Sequence, residues 1–190
     1  PAGTTCCAFR CRVVPSIPLR VARVHLAKSG QPPLRWLFPP TIERGEMSSA
    51  VVVHCEGLEV PLRAGPDLAD ITPQLARIIA ASGVRSGSAH LSAVGSTASL
   101  TTIEYEPGAV EDLKQAIRRL APPDASYHHE MTWHDGNGHS HVQAALLGPS
   151  VVVPIRDGRA KLGTWQQVVL INHDIHARRR AVEVTVIGES

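Results

Sequence analysis

Aromatic residues are scarce in this sequence, at 4% of 190 residues, so any core must be built mostly from aliphatic side chains. No apolar run approaches the ~20 residues that a membrane-spanning helix needs, and we predict no membrane partner. Hydrophobic residues make up 43% and charged residues 19%, which is ordinary for a globular protein.

Cysteine is nearly absent from most of the chain. Three of the four cysteines, Cys6, Cys7 and Cys11, lie near the start, and only Cys55 lies further on. Residues 47–190 therefore hold no disulfide framework, which indicates a reducing compartment, and we predict a cytoplasmic location.

The charge is divided unevenly between two segments. Residues 1–46 hold seven Lys or Arg and two Glu, whereas residues 47–190 hold 12 basic and 15 acidic groups. The second segment lacks the basic footprint typical of nucleic-acid binding. Six of the seven prolines in the first segment lie within it and interrupt every candidate helix, so residues 1–46 are predicted to be a disordered or non-native N-terminal extension. An upstream in-frame overrun is the first interpretation and a transit peptide the second, with a single domain over residues 47–190.

The domain reads as short β-branched segments separated by a few helical patterns. Strands are predicted over residues 50–60, 88–94, 100–105 and 181–187, and helices over residues 72–83 and 107–120. Residues 150–155 and 162–171 are predicted to pair as a hairpin around the turn at residues 156–159. This order predicts an α+β domain with a mainly antiparallel sheet.

Five of the ten histidines fall within residues 127–150. They are His128, His129, His134, His139 and His141, and an Asp-Gly-Asn-Gly turn occupies residues 135–138. Imidazole is a common metal ligand and general acid or base, so the stretch is a candidate site, with a solvated surface loop as the alternative. It matches no HExxH, CxxC or EF-hand pattern. Residues 141–147 have helical composition, so His139 and His141 should diverge, and we expect His141 to face inward.

Three further features are ambiguous from spacing alone. Glu104 follows small hydroxyl residues and is either a site carboxylate or an exposed strand residue. Trp165 is expected to fill the aromatic-poor core, with Gln166 free to hydrogen-bond to the histidine-rich turn. The basic run at residues 178–180 is predicted to be a solvated turn, with phosphate binding as the alternative.

Several separated motifs resemble the YjbQ-like family. They include Ser96-Thr97, Glu104, His129, DGNGHSH at residues 135–141 and GTWQ at residues 163–166, and the resemblance runs from about Ser48 to the C-terminus. It implies a compact antiparallel β-sandwich with two or three flanking helices, usually assembled as a homotrimer with its pocket near subunit contacts. It also implies a small-molecule enzyme with a His-rich, metal-assisted site. The candidate activity is a secondary thiamine phosphate synthase, which joins a pyrimidine methyl diphosphate to a thiazole phosphate.

The resemblance also implies the residues of the site. Its catalytic residues would be Glu104, His129 and His141. Its substrate-binding residues would be Ser96, Thr97, Asp135, Asn137, Thr164 and Gln166. A divalent metal ion, zinc or magnesium, would be held by His129, His139 and His141, with His139 compensating for Gly95, where many members have histidine. The partner would be a small phosphorylated metabolite, and residues 178–180 or a neighbouring subunit would supply positive charge. The alternative is a non-enzymatic metal- or metabolite-binding trimer.

Overall fold

The computed structural model describes residues 51–190 of the chain. The predicted extension at residues 1–46 and three of the four cysteines lie outside the described residues. Within them, the secondary structure alternates strands and helices. The elements in chain order are β1 (Val51–Leu62), β2 (Asp67–Asp70), α1 (Thr72–Ser82), β3 (Ser86–Val94), β4 (Ala98–Ile103), α2 (Pro107–Leu120), a 3₁₀ turn (His128–Met131), α3 (Gly138–Leu147), β5 (Ser150–Arg156), β6 (Arg159–Ala160), β7 (Gln167–Asn172) and β8 (Arg178–Glu189).

Two antiparallel sheets form the body of residues 51–190. One has the order β1-β8-β3-β5-β6 and the other the order β2-β7-β4. Every pairing is antiparallel, and β1 pairs with β8 without a break from residue 51 to residue 62. The predicted α+β class with a mainly antiparallel β-sandwich and flanking helices is confirmed.

One aliphatic core fills the space between the two sheets. Leu58, Leu91 and Val184 from the five-stranded sheet pack with Leu100 and Leu170 from the three-stranded sheet. Helix α1 adds its apolar stripe to the same core through Leu75, Ile78 and Ile79, each 0–1% exposed. Since almost no aromatic side chain takes part, the composition correctly predicted an aliphatic core.

A second apolar layer covers the other face of the three-stranded sheet. Val169 and Ile171 of β7 pack there against Ile117, Val110 and Leu113 of α2. The central strand β7 is therefore buried on both faces, which explains its continuous run of aliphatic residues. Among residues 51–190, none of the helices combines the length and apolarity needed to cross a membrane.

The prediction that residues 150–155 pair with residues 162–171 is wrong. Strand β5 pairs instead with the two-residue strand β6, and residues 167–172 form β7 in the other sheet. The chain leaves the first sheet after Ala160 and crosses to the second through Gly163. The turn signal at residues 156–159 was correct, but the length of its second strand depended on a crossover between sheets.

Cys55 is exposed on β1.

Candidate functional site

Polar residues gather where β7 ends. Asn172, His173 and Asp174 follow its aliphatic run and are only 0–3% exposed, because the strand delivers them to the edge of the core. Seven more polar residues from other segments are buried to 8% exposure or less. Together we call the ten the buried polar network: Thr97, Ser99, Asn137, His139, Ser140, Gln143, Asn172, His173, Asp174 and Arg180.

The hydrogen bonds of His173 determine its tautomer. Gln143 donates its amide N–H to the carbonyl of Ala121 (2.9 Å), which leaves Gln143 Oε1, 3.2 Å from His173 Nδ1, as an acceptor. Nδ1 therefore carries the proton, and Nε2 accepts from the hydroxyl of Ser99 at 2.8 Å. The result is a fully buried Ser–His–Gln chain with every ring nitrogen paired.

Burial keeps His173 neutral. Desolvation, followed by the positive charge of Arg180 and by His139, lowers the pKa of His173 from 6.5 to about 4. At neutral pH the unprotonated Nε2 is thus an acceptor for Ser99. This arrangement resembles the base-and-hydroxyl pair of nucleophilic enzymes, but here it lies inside the core and holds the segment after β7 in place.

Asp174 and Arg180 form a buried ion pair within the same network. Their closest atoms, Arg180 Nη2 and Asp174 Oδ2, are 3.5 Å apart, and Thr97 donates its hydroxyl to Asp174 at 3.1 Å. Burial alone would raise the pKa of Asp174, but the backbone N–H of His176, together with Arg178 and Thr97, outweighs it and lowers the pKa. Asp174 is therefore an ionised carboxylate in a fixed position.

Of the two arginines that pair with Asp174, Arg178 is the one whose side chain is substantially exposed to solvent. Its Nε donates to Asp174 at 3.1 Å, while 48% of its side chain is accessible to solvent. Residues 178–180 are the first residues of β8, so the prediction of a solvated turn there is wrong. Side-chain direction alternates along a strand, which places Arg180 in the core and leaves Arg179 outside, paired with Glu59 at 3.1 Å.

The histidine-rich segment attaches to the buried polar network at two points. Asn137 Oδ1 accepts from the backbone N–H of Ile175 at 3.4 Å, and Ser140 donates its hydroxyl to the carbonyl of His173 at 2.7 Å. Both residues belong to the start of α3. Asn137 and Thr97, two of the predicted substrate-binding residues, therefore lie in one network.

The carboxylate of Glu130 holds the Asp-Gly-Asn-Gly turn in place. Its two carboxylate oxygens accept from the backbone N–H groups of Gly136 (2.7 Å) and Gly138 (2.9 Å), and these bonds lower the pKa of Glu130. Gly138 also has no room for a side chain, since a Cβ there would lie 2.6 Å from Cβ of Tyr127. The glycine at residue 138 is required by this close approach.

His129 and His141 come together at the surface of this turn. Their ring centroids are 4.5 Å apart, and His129 Nε2 lies 3.4 Å from Asp135 Oδ1. That Nε2 is buried and has no hydrogen-bond partner in the described part of the chain. Two predicted catalytic histidines and one predicted substrate-binding carboxylate thus form a compact group, with His141 half-buried and Asp135 exposed.

His139, not His141, is the inward histidine of α3. It is 7% exposed and lies 3.4 Å from the hydroxyl of Ser140, whereas His141 is on another face of the helix. Burial lowers the pKa of His139. The expectation for His141 failed because the helix begins at Gly138, three residues earlier than predicted, which changes the face that the core covers.

The remaining predicted site residues lie elsewhere. Glu104, Thr164 and Gln166 are exposed, as is Ser96 beside Thr97. Gln166 donates to the hydroxyl of Thr102 at 3.1 Å and makes no contact with the histidine-rich turn. Trp165 is 70% exposed, so the expectation that it fills the core is wrong.

The strand register separates these residues from the buried polar network. Ala98 of β4 is opposite Asn172, and Ile103 is opposite Gln167, at the other end of the same pair of strands. Six-residue strands span roughly 17–20 Å. Glu104 and Gln166 therefore lie about one strand length from Thr97 and His173 within a single chain.

A family model described as UPF0047 protein YjbQ-like matches residues 56–189. The chain belongs to the YjbQ-like family. Among its relatives is the UPF0047 protein of Methanothermobacter thermautotrophicus, 33% identical over 145 residues that cover 75% of this chain and 99% of the relative. The UPF0047 protein YjbQ of Salmonella typhimurium is 36% identical over 107 residues, which cover 56% and 77% of the two chains.

Solved structures share the YjbQ-like fold seen here. A YbjQ-like protein of unknown function from Sulfolobus solfataricus superposes with a TM-score of 0.70 at 32% identity, covering 73% of this chain and 99% of its own. A hypothetical protein from Aeropyrum pernix gives a TM-score of 0.67 at 28% identity, covering 72% and 99%. The family resemblance drawn from the motifs is thereby confirmed.

The predicted metal ligands of this YjbQ-like chain do not converge. His139 is buried beside Ser140, while the rings of His129 and His141 lie 4.5 Å apart and are tilted by 42°. Within residues 51–190, no three His, Cys, Asp or Glu side chains are arranged to hold a metal ion. The zinc or magnesium ion stays a prediction, and no chemical step below passes through it.

Sequence reasoning missed six members of the buried polar network: Ser99, Ser140, Gln143, Asn172, His173 and Asp174. One signal for them was available. Residues 168–171 read Val-Val-Leu-Ile, and three polar residues with acid, amide and imidazole groups follow at once. Polar residues directly after a strand buried on both faces are well placed to form a site.

Proposed function

We propose that this YjbQ-like protein is a small-molecule enzyme that acts on a phosphorylated metabolite, with its site where the histidine-rich segment meets the buried polar network. One observation supports it above the others. A carboxylate, a guanidinium and a neutral imidazole are buried together, and Asn137 and Ser140 link them to the segment that carries His129 and His141. Burying charged groups costs several kcal/mol per ion before pairing, so such clusters are characteristic of functional sites.

The roles follow from exposure and hydrogen bonding. His129 and His141 have ring surface next to an exposed carboxylate, Asp135, and serve as the acid–base pair. Asn137 and Thr97 are occupied by contacts to residues 174–175, so they position the site rather than carry chemistry. Arg178, half exposed beside Asp174, faces solvent with a positive charge for a phosphate group.

The candidate reaction is thiamine phosphate synthesis. The thiazole nitrogen attacks the methylene carbon of the pyrimidine, a C–N bond forms, the C–O bond to the diphosphate breaks, and pyrophosphate leaves with the electron pair. This step needs positive charge at the leaving diphosphate and a general acid, the role proposed for His129 and His141, that protonates a pyrophosphate oxygen as the C–O bond breaks. Arg178, which lies beside Asp174 of the buried polar network, would supply the positive charge for the diphosphate.

A homotrimer would unite the residues that one chain keeps apart. Glu104, Thr164 and Gln166 lie at one end of the three-stranded sheet, and the network lies at the other. In a head-to-tail ring, the first end of one subunit meets the second end of the next, so each shared site is complete. We propose this trimer as the active form, and the cytoplasmic location stays a prediction.

Turnover of the two thiamine precursors tests the proposal. The full chain should release pyrophosphate and form thiamine phosphate, and H141A should lose about 10²-fold or more of that rate. The matched control is H90Q, which alters an exposed histidine on β3 and should retain the rate. No product from the unaltered chain would remove the reaction, and equal rates for H141A and H90Q would remove His141 from the site.

Mixing two inactive variants tests the shared site. If E104Q and H141A each lie in different halves of an intersubunit site, trimers reassembled from an equal mixture should recover about a quarter of the unaltered rate, as random assortment gives that share of intact pairs. Recovery of none, with trimers verified by light scattering, would contradict the shared site.

The second candidate is a metabolite-binding trimer without catalysis. It is favoured by the distance between Glu104 and the histidine pair, since a binding pocket tolerates separation that a reaction does not. Binding of either precursor without turnover, abolished by H141A, would support this candidate over the enzyme.

A further inference from the structure

The hairpin between β5 and β6 presents three cations. Asp157 (φ 53°) and Gly158 (φ 71°) both adopt left-handed backbone, which makes a tight two-residue turn. This turn places Arg156 directly opposite Arg159, and Lys161 follows two residues later. The backbone N–H of Gly158 donates to the carbonyl of Arg85 at 3.0 Å, so the hairpin is anchored to the body.

These cations have no ionic partners of their own. None of the ion pairs within residues 51–190 includes Arg156, Arg159 or Lys161. Like charges facing each other across strands destabilise a sheet. Among the described residues, Asp157, in the turn itself, is the one carboxylate that lines their groove, so three cations face a single acid there. The remaining positive charge indicates that an external anion is the partner.

Two adjoining grooves meet at this hairpin. The first, of about 590 Å³, is lined by Arg156, Asp157, Arg159 and Lys161. The second, of about 540 Å³, is lined by Thr72, Thr164 and Gln166 among others. Arg159, Ala160 and Leu162 line both grooves. A ligand with an anionic end and a polar organic end would find cations in one groove and hydroxyl and amide groups in the next.

We infer that the Arg156–Arg159–Lys161 hairpin is a subsite for the phosphate or diphosphate group of a small metabolite, whose organic part lies over Thr164 and Gln166. Two guanidinium groups side by side match the geometry of phosphate oxygens. The inference deepens the proposed function and rests on it for the place of this ligand in the reaction. It also accounts for Thr164 and Gln166, which the buried polar network leaves out.

Calorimetric titration of the full chain with inorganic pyrophosphate tests the subsite, in buffer free of phosphate and metal. R156Q/R159Q should bind pyrophosphate at least about tenfold more weakly, since each charge-assisted contact is worth about a factor of ten. The matched control is R118Q/R119Q, which removes two exposed arginines from α2 and should bind like the unaltered chain. No binding by the unaltered chain, or equal weakening in both double variants, overturns the inference.

Thermal unfolding gives a second readout on the same proteins. Without ligand, R156Q/R159Q should be no less stable than the unaltered chain, because it removes opposing like charges. Pyrophosphate should raise the Tm of the unaltered chain and of R118Q/R119Q but not that of R156Q/R159Q. A short single-stranded RNA is the second ligand, and hairpin-dependent binding of RNA in preference to pyrophosphate would overturn the assignment to a small metabolite.

The subsite and the proposed enzyme can fail separately. Pyrophosphate binding that depends on the hairpin, with no turnover of the thiamine precursors, leaves the subsite in place and removes the reaction. Turnover that H141A abolishes, with a KM unchanged in R156Q/R159Q, removes the subsite and leaves the reaction.

Discussion

Protonation of the buried His173 should make this protein unstable in mild acid. The pKa of His173 is lowered to about 4 in the folded chain by burial and by Arg180, against 6.5 for an ordinary histidine. Between pH 6.5 and pH 4, His173 is protonated in the unfolded chain but stays neutral in the folded chain. Its contribution to the unfolding free energy is therefore complete above pH 6.5 and is lost as the pH falls towards 4. His139 adds a loss of the same sign, since burial lowers its pKa too.

The size of the effect follows from the difference between the two pKa values. One pKa unit corresponds to about 1.4 kcal/mol, so His173 contributes roughly 3 kcal/mol in full and about 2 kcal/mol by pH 5. A loss of that size is a large part of the ~5–15 kcal/mol that stabilises a typical domain. It should therefore be visible well above the acid range in which carboxylates are protonated.

Urea denaturation between pH 7.5 and pH 5, at one protein concentration, measures the loss. The unaltered chain should lose about 2 kcal/mol of unfolding free energy, while H173Q should lose distinctly less. H173Q should also be about 1–3 kcal/mol less stable at pH 7.5, because Ser99 and Gln143 lose their ring partners. S99A is the matched control, since it removes one hydrogen bond to the ring but keeps the imidazole and most of the pH dependence. A flat profile for the unaltered chain, or equal slopes for it and H173Q, would refute this reasoning.

Two further predictions concern the same end of the molecule. R180Q should reduce the unfolding free energy by about 3–5 kcal/mol at neutral pH, since it removes one of the two cations beside the buried carboxylate of Asp174 and the hydrogen bonds from Arg180 to Asn172 and Thr97; denaturation of the variant measures this, and a loss below 1 kcal/mol would mean that Arg178 suffices. G138A should cost about 1–3 kcal/mol because its Cβ would meet Tyr127 at 2.6 Å. G163A, where the nearest atoms are 3.7 Å away, should cost little, and equal effects would contradict the packing argument.

The sequence alone was sufficient for the fold class and the family. Short β-branched segments, a 3–4 spaced stripe at residues 107–120 and the scarcity of aromatics predicted an α+β domain with a mainly antiparallel sheet and an aliphatic core, and the family resemblance added the sandwich. These are local or compositional properties, and they survive folding because each element must bury its own apolar face. The motif order predicted the family for the same reason, since a motif is read along the chain.

The sequence did not determine which polar residues would meet. His139 and His141 differ by two positions, and the face that is buried depends on where α3 begins and on its contact with His173. Trp165 was expected inside on composition, but the crossover between sheets leaves it on the surface. Both outcomes depend on contacts between residues far apart in the chain, which no local pattern reports.

The amino-acid sequence by itself determined the α+β class with antiparallel strands, the aliphatic core and membership of the YjbQ-like family. Only the tertiary structure decided that Asp174, Arg180 and His173 share one buried network, and that Glu104 and Gln166 lie a strand length away from it. The physical reason is that periodicity specifies which face of a strand is apolar, whereas strand register and crossovers specify which polar ends come together.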